Sequence, residues 1–161
     1  LSDQMKPAFF DFMIEKGLTL ASVESVTGGL FAHSITRFPN ASKFYQGGLI
    51  VYNDKMKKIL SDIDPLALKK HKAISKEIAI ALANHILTKT DSDIAIAFVG
   101  NAGPTAQDKC PVGTMFTVII DRQTTVVHHD QLVGSRIQNQ KEIVALAHDR
   151  LLAFLEHNHS I

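Results

Sequence analysis

The sequence has a single cysteine, no long hydrophobic run and almost no net charge. Cys110 cannot form an internal disulfide, and the chain shows neither a signal-peptide pattern nor the apolar stretch of about 18 residues that crosses a membrane. We therefore expect a cytoplasmic protein. With 17 Lys and Arg against 16 Asp and Glu, nothing indicates a nucleic acid or a membrane as partner, although a small anionic ligand needs only a local cluster of donors.

The composition is that of one compact domain. Of the 161 residues, 45% are hydrophobic and 20% are charged, which suits one core and leaves little for a second. No repeat, low-complexity tract or linker is visible in the sequence. We expect residues 1–161 to form a single domain.

Apolar side chains recur at helical spacing in several segments. Ser75 and Ser135 precede two of them as candidate N-caps, and Gln138 gives Ser135 the spacing of a capping box. Helices are predicted over residues 2–16, 30–37, a segment after Asn53-Asp54, 75–89, and a long closing segment through Phe154. The first has Met5, Phe9, Phe12 and Met13 on one face and Gly17 as its stop. The helix after Asn53-Asp54 has Met56, Ile59 and Leu60 on one face.

Branched and aromatic runs between the helices predict strands, over residues 18–23, 47–52, 93–99, 114–120 and 124–129. The last two flank a polar turn and are expected to pair antiparallel. This order predicts an α/β fold of three layers, α/β/α, with a mixed, mostly parallel sheet and helices on both faces. Active sites in such sheets gather where strands end, and three polar or glycine-rich segments (24–29, 52–57 and 100–113) stand there.

The segment 24–29 reads Glu-Ser-Val-Thr-Gly-Gly and joins a predicted strand to a predicted helix. A hydroxyl at this junction lies beside unpaired backbone N–H groups that can hold an anion or an oxyanion. Ser25 is thus a candidate nucleophile. A serine here can equally serve as a helix cap, and the motif alone favours that alternative.

Four motifs in one order resemble the CinA C-terminal domain family: Glu-Ser-x-Thr-Gly-Gly at 24–29, a Gly-Gly strand ending in Tyr52 with Lys57 beyond it, Gly-x-Ala-Gly-Pro at 100–104, and Pro-Val-Gly-Thr at 111–114. Active members are nicotinamide-nucleotide amidases of the PncC type. The resemblance implies hydrolysis of nicotinamide mononucleotide to nicotinate mononucleotide and ammonia, by a serine nucleophile with a lysine partner. It also implies a homo-oligomer that uses no metal and no cofactor.

The resemblance assigns catalytic roles to Ser25 as nucleophile, Lys57 as base and Tyr52 beside them. Helical geometry does not choose Lys57 over Lys55; the family spacing does. A neutral lysine can act as base when burial or a nearby cation lowers its pKa. Tyr52 is expected to stack on the pyridine ring or to hydrogen-bond the Ser-Lys pair.

Substrate binding is expected from the two glycine-rich turns and from the last helix. Backbone N–H groups around either turn could stabilise the oxyanion, and the residues alone do not choose between them. Arg136, in the first turn of the last helix, is expected to hold the phosphate. The proposed binding residues are Glu24, Thr27, Gly28, Gly29, Gly100, Ala102, Gly103 and Arg136.

Several positions depart from the family pattern. Val26 stands where the family has Cys, and Val99 stands where it has Ser or Thr. Residues 105–107 replace the usual Asp-Gly-Gly, and Gln140 replaces an Arg. Residues 53–56 also differ from the family's Ser-Asn-Glu-Ala. These changes fall in the presumed pocket, so the alternative function is a paralogue without turnover that binds a nucleotide or a protein.

A metal site is not expected. His128, His129 and Asp130 are consecutive in a predicted strand, where neighbouring side chains point to opposite faces and chelate poorly. Cys110 follows Lys109 without a recognisable His partner, which is typical of an ordinary loop thiol.

Overall fold

The computed structural model describes residues 5–107 and 109–160. Five strands form one sheet in the order β2-β1-β3-β4-β5. The strands are β1 Leu20–Glu24, β2 Tyr45–Ile50, β3 Ile94–Gly100, β4 Thr114–Ile120 and β5 Thr125–Gln131. The helices are α1 Phe9–Lys16, α2 Leu30–Thr36, α3 Asp54–Ser61, α4 Pro65–His71, α5 Lys76–Thr90 and α6 Arg136–His159, with a short 3₁₀ helix at Ala41–Lys43.

The predicted mixed sheet is confirmed. Strand β1 lies between β2 and β3 and pairs in parallel with both, whereas β4 pairs antiparallel with β3 and β5. The β4-β5 pair is the hairpin expected from the polar turn. Because β1, β2 and β3 are parallel, their carboxyl ends lie at the same edge of the sheet.

Helices cover both faces of the sheet, as predicted. Alternate residues of β3 belong to different cores: Ile96 and Phe98 pack in the cluster with α1, α2 and α6, whereas Ala95 and Ala97 pack in the cluster with α5. This alternation is the period-2 pattern of a strand buried on both sides. The three-layer α/β/α arrangement is therefore confirmed.

The N-terminal helix is shorter than predicted. It begins at Phe9, directly after Pro7 and Ala8, and Met5 lies outside it with 73% of its surface exposed. A proline lacks the N–H that a helix interior requires, so the helix begins only beyond it. Positions 2–4 of the predicted helix lie outside the described residues. The predicted glycine stop is confirmed, since Gly17 adopts a left-handed conformation and its N–H donates to the last turn.

Two short elements were not predicted, the 3₁₀ helix and α4. Helix α4 has seven residues, of which Leu68 is buried, so its apolar signal is weak. Its start nevertheless follows ordinary capping rules: Pro65 is the first residue, and the Asp64 side chain accepts from the Leu66 N–H. The capping box of Ser135 and Gln138 at the start of α6 is confirmed.

No helix within 5–107 and 109–160 is both long enough and apolar enough to span a membrane.

Candidate active site

A cleft of about 370 Å³ opens at the edge where β1, β2 and β3 end. Ser25, Tyr52, Lys57, Asn101 and Arg136 are among the residues that line it. Its volume lies within the range of sites that hold small organic molecules. The three segments predicted to share a site therefore meet in one place.

Ser25 directly follows β1 and is held by the backbone. Its N–H donates to the Phe98 carbonyl at 3.0 Å, and its carbonyl accepts from the Gly28 N–H at 3.1 Å. The turn then passes through left-handed conformations at Gly28 and Gly29, with φ of 58° and 105°, which glycine adopts at little cost. Helix α2 receives no side-chain cap from its N-cap residue, Gly29. The Ser25 hydroxyl is directed to Lys57 instead, so the helix-cap alternative for Ser25 is wrong.

Glu24 has a structural role that differs from the predicted contact with substrate. Its carboxylate accepts from the N–H groups of Phe31 at 2.8 Å and Ala32 at 3.1 Å, and the residue is 1% exposed. These two donors are first-turn amides of α2 that no backbone carbonyl of the helix can satisfy. Both carboxylate oxygens are thus used to hold α2 against the end of β1.

Lys57 is buried on α3, and its amine meets Ser25. The residue is 2% exposed; Nζ lies 3.0 Å from Ser25 Oγ and donates to the Val51 carbonyl at 3.0 Å. Lys55, which helical geometry left as an alternative, is exposed. The structure brings Lys57, and not Lys55, to the serine.

The apolar face predicted for α3 is wrong at two of its three residues, since only Met56 packs against the core. Ile59 is 56% exposed and Leu60 43% exposed, while Lys57 and Ser61 are the buried residues of the helix. The helix turns its polar stripe inward because Lys57 has polar partners there, the Val51 carbonyl and the Ser25 hydroxyl. The Asn53 side chain fixes the start of the helix by accepting from the Met56 N–H.

Burial lowers the pKa of Lys57 below the ordinary value for lysine, and the nearby Asp54 carboxylate opposes this by raising it. Desolvation penalises the charged ammonium, so the neutral amine is favoured relative to a lysine in water. A neutral Nζ has a lone pair and can accept the proton of the Ser25 hydroxyl. The pair therefore has the chemistry of a nucleophile and its base.

Arg136 links two sides of the cleft mouth. Its guanidinium donates to the Tyr52 hydroxyl and to the Gly103 carbonyl. Tyr52 is 56% exposed, and its hydroxyl meets Arg136. The alternative in which Tyr52 hydrogen-bonds the Ser-Lys pair is not what the structure has.

Of the two turns considered for the oxyanion, the one after Ser25 adjoins the nucleophile directly. In the other turn the Asn101 N–H donates to the Thr114 carbonyl and the Gly103 N–H to the Asn101 side chain, whereas the Ala102 N–H has no acceptor within the described residues. Within the described residues, the N–H groups of Val26 and Thr27 have no acceptor. They are the free donors next to the nucleophile.

The remaining predicted binding residues surround these groups. Thr27 is buried, and its hydroxyl has no partner in the described part of the chain, whereas Gly28 is exposed. Ala102 is 2% exposed and lines the cleft together with Gly100. At Gly100 an added Cβ would lie 2.6 Å from the Thr114 carbonyl oxygen, so this position requires glycine for packing.

Three amide side chains support the site; the sequence indicated Gln140 only as a departure from the family pattern and gave no role to Asn101 or Asn139. Asn139 is fully buried; its Nδ2 donates to the Ala102 carbonyl at 3.2 Å and its Oδ1 accepts from the Gly134 N–H at 2.9 Å. Asn101 holds its own loop through the Thr105 carbonyl. Gln140 donates to the carbonyl of Val26, the residue after the nucleophile. Asn139 stands four residues before Ile143 on the apolar stripe of α6, and a polar residue on such a stripe is the signal that could have revealed it.

The histidines on β5 have other partners. His129 stacks on Phe116, with ring centroids 4.4 Å apart, and Asp130 pairs with Arg150. Among residues 5–107 and 109–160, no three His, Cys, Asp or Glu side chains are grouped to hold a metal ion.

The family model for the CinA C-terminal domain matches residues 2–155. The chain belongs to the CinA C-terminal domain family. The resemblance seen in the four sequence motifs is thereby confirmed.

Two curated relatives carry the name CinA-like protein. CinA-like proteins of Solibacter usitatus (strain Ellin6076) and Desulfotalea psychrophila (strain LSv54 / DSM 12343) are 39% identical over 134 residues and 35% identical over 137 residues. The matched parts are 83% and 84% of this chain but 32% and 33% of those proteins. The chain thus spans about a third of the length of these curated relatives.

The fold also matches a solved structure, that of the competence damage-inducible protein A (ComA) of Klebsiella pneumoniae subsp. pneumoniae MGH 78578. The TM-score is 0.89 at 27% sequence identity, covering 92% of this chain and 93% of the other. The match supports the three-layer fold over nearly the whole chain.

The role of Glu24 predicts a loss of stability in Glu24→Gln. The variant places an amide N–H₂ against one of the two α2 donors, so a buried hydrogen bond is lost at a cost of about 1–3 kcal/mol in the free energy of unfolding. Denaturant titration measures this. Glu15→Gln, on the exposed side of α1, is the matched control. Equal stability of Glu24→Gln and the wild type would contradict the assignment.

Proposed function

We propose that this protein hydrolyses the carboxamide of nicotinamide mononucleotide, giving nicotinate mononucleotide and ammonia. The observation that carries the proposal is the 3.0 Å contact between Lys57 Nζ and Ser25 Oγ inside the cleft. Both residues occupy the family motif positions of the nucleophile and its partner. The substrate is proposed from the family resemblance, and the contact supports the reaction type.

In the first half of the proposed reaction Ser25 is acylated. The neutral Lys57 amine takes the hydroxyl proton while Oγ attacks the amide carbon, and the tetrahedral oxyanion faces the N–H groups of Val26 and Thr27. When the C–N bond breaks, the Lys57 ammonium returns its proton to the departing nitrogen. Ammonia leaves, and the nicotinoyl group stays as an ester on Ser25.

In the second half a water molecule releases the acid. Lys57, neutral again, takes a proton from water as the oxygen attacks the ester carbon. The ester bond breaks, and Lys57 gives the proton back to Ser25 Oγ. One base thus serves both halves, which suits an amine whose neutral form is favoured by burial.

The phosphate of the substrate is assigned to Arg136. Its guanidinium stands at the cleft mouth between Tyr52 and Gly103 and can present its remaining donors to an anion. The exposed Tyr52 ring lies at the same mouth, where it can stack on the pyridine ring.

The Ser-Lys assignment predicts loss of ammonia release from nicotinamide mononucleotide in both Ser25→Ala and Lys57→Ala. Removing a positioned base costs about 10²–10⁴-fold in rate, and removing the nucleophile costs at least as much. Lys55→Ala, an exposed lysine on the same helix, is the matched control and keeps the wild-type rate. Circular dichroism checks that each variant is folded.

The outcome that would contradict the enzyme is nucleotide binding without turnover in the wild type, unaffected by Ser25→Ala. Such a result would favour the alternative, a nucleotide-binding module that has lost catalysis. Turnover of another small carboxamide in preference to the nucleotide would keep the mechanism and change the substrate.

The phosphate assignment predicts that Arg136→Ala raises the Michaelis constant for nicotinamide mononucleotide by about 10- to 100-fold, since a charge-assisted hydrogen bond is lost. Steady-state kinetics with the nucleotide and with nicotinamide riboside, which lacks the phosphate, separate this loss from a general defect. An unchanged Michaelis constant for the nucleotide, or an equal effect on both compounds, would remove the assignment.

A further inference from the structure

Asp54 is a charged residue of the cleft that the proposed reaction does not use. It is the first residue of α3 and lines the cleft together with Ser25 and Lys57. The N-terminus of α3 already has its cap, because the Asn53 side chain accepts from the Met56 N–H. Within the described residues the Asp54 carboxylate forms no hydrogen bond or ion pair, so it is available to a ligand.

The charges of the cleft have a definite order. Among its described lining residues, Asp54 and Arg136 are the charged side chains besides Lys57, which the proposed reaction uses as a neutral amine. Asp54 stands three residues before Lys57 on the same helix and close enough to influence its amine electrostatically. Arg136 stands at the mouth, tied to Tyr52 and Gly103. The exposed Asp54 carboxylate is therefore the negative charge of the cleft that acts on Lys57, and Arg136 is its positive charge, held at Tyr52 and Gly103.

This order matches a zwitterionic substrate. A pyridinium carboxamide nucleotide carries its positive charge in the ring that bears the reacting amide, and its negative charge on the phosphate beyond the ribose. With the amide carbon at Ser25 and the phosphate at Arg136, the ring cation lies in the cleft that Asp54 also lines. Opposite charges attract in a cleft that is partly shielded from water.

We infer that Asp54 is a specificity-determining residue, which selects carboxamides carried on a cationic ring over carboxamides carried on a neutral one. The inference rests on the proposed function, since it places the reacting amide at Ser25. The Asp54 carboxylate also favours the ammonium form of Lys57, which cannot accept a proton from Ser25. A carboxylate at this position is therefore a disadvantage for catalysis unless it also contributes to substrate binding. Attraction of a cationic ring is such a contribution.

The test compares two ligands that differ in ring charge. Nicotinamide mononucleotide and its 1,4-dihydro form share the ribose, the phosphate and the carboxamide, but the reduced ring is neutral. Their dissociation constants are measured by calorimetry on Ser25→Ala, which prevents turnover, and on Ser25→Ala combined with Asp54→Asn. Any effect of Asp54 on Lys57 is common to both ligands, so the ratio of their dissociation constants isolates the ring charge.

We expect Asp54→Asn to reduce the preference for the oxidised nucleotide by about three- to fivefold, the range of a partly exposed ion pair. Asp62→Asn makes the same charge change at the far end of α3 and leaves the ratio as it is. An unchanged ratio in Asp54→Asn, or an equal weakening of both ligands, overturns the inference. Absence of ammonia release by the wild-type protein, with no binding of either nucleotide, would instead overturn the proposed function.

Discussion

A lysine amine buried beside a serine hydroxyl is the interaction on which the candidate site depends. Lys57 is 2% exposed, and its hydrogen-bond partners are a carbonyl and a hydroxyl. Among the residues that the structure describes, no carboxylate bonds to it directly. An ammonium in such surroundings loses much of its hydration, and two neutral acceptors compensate for this only in part. The environment therefore favours the neutral amine that a serine nucleophile requires.

The sheet places this pair through the ends of its strands. Strands β1 and β2 are parallel neighbours, with Glu24 opposite Ile50, so Ser25 and Val51 follow at the same edge. The next helix along the chain, α3, then brings Lys57 to both. Glu24 satisfies the first-turn amides of α2, and because it does so the adjacent Ser25 hydroxyl is not needed as a cap. Of these two consecutive polar residues, Glu24 thus stabilises the structure and Ser25 is left for the chemistry.

Periodicity in the sequence predicted most of the fold, because α5, α6, β3 and β4 bury long apolar patterns. Periodicity failed to predict an element where the apolar pattern was short, and it predicted the wrong buried face where a polar side chain was buried. Helix α4 buries little beyond Leu68, and α3 buries Lys57 while exposing Ile59 and Leu60. The family motifs indicated Lys57 where periodicity did not. Asn139 was missed because its partner, Ala102, is distant in the sequence, and Gln140 was noticed only as a departure from the family pattern, without its contact to Val26.

The most direct test of the central claim is an NMR titration of the protein with its lysine side chains labelled with ¹³C at Cε. The Lys57 signal is identified as the one that disappears from the spectrum of the Lys57→Arg variant. Burial lowers the pKa of Lys57, so the amine loses its proton at a lower pH than an ordinary lysine, and the fraction able to act as base rises with pH through that midpoint. We predict a midpoint clearly below the ordinary lysine value of 10.5. A midpoint at or above that value would contradict the account.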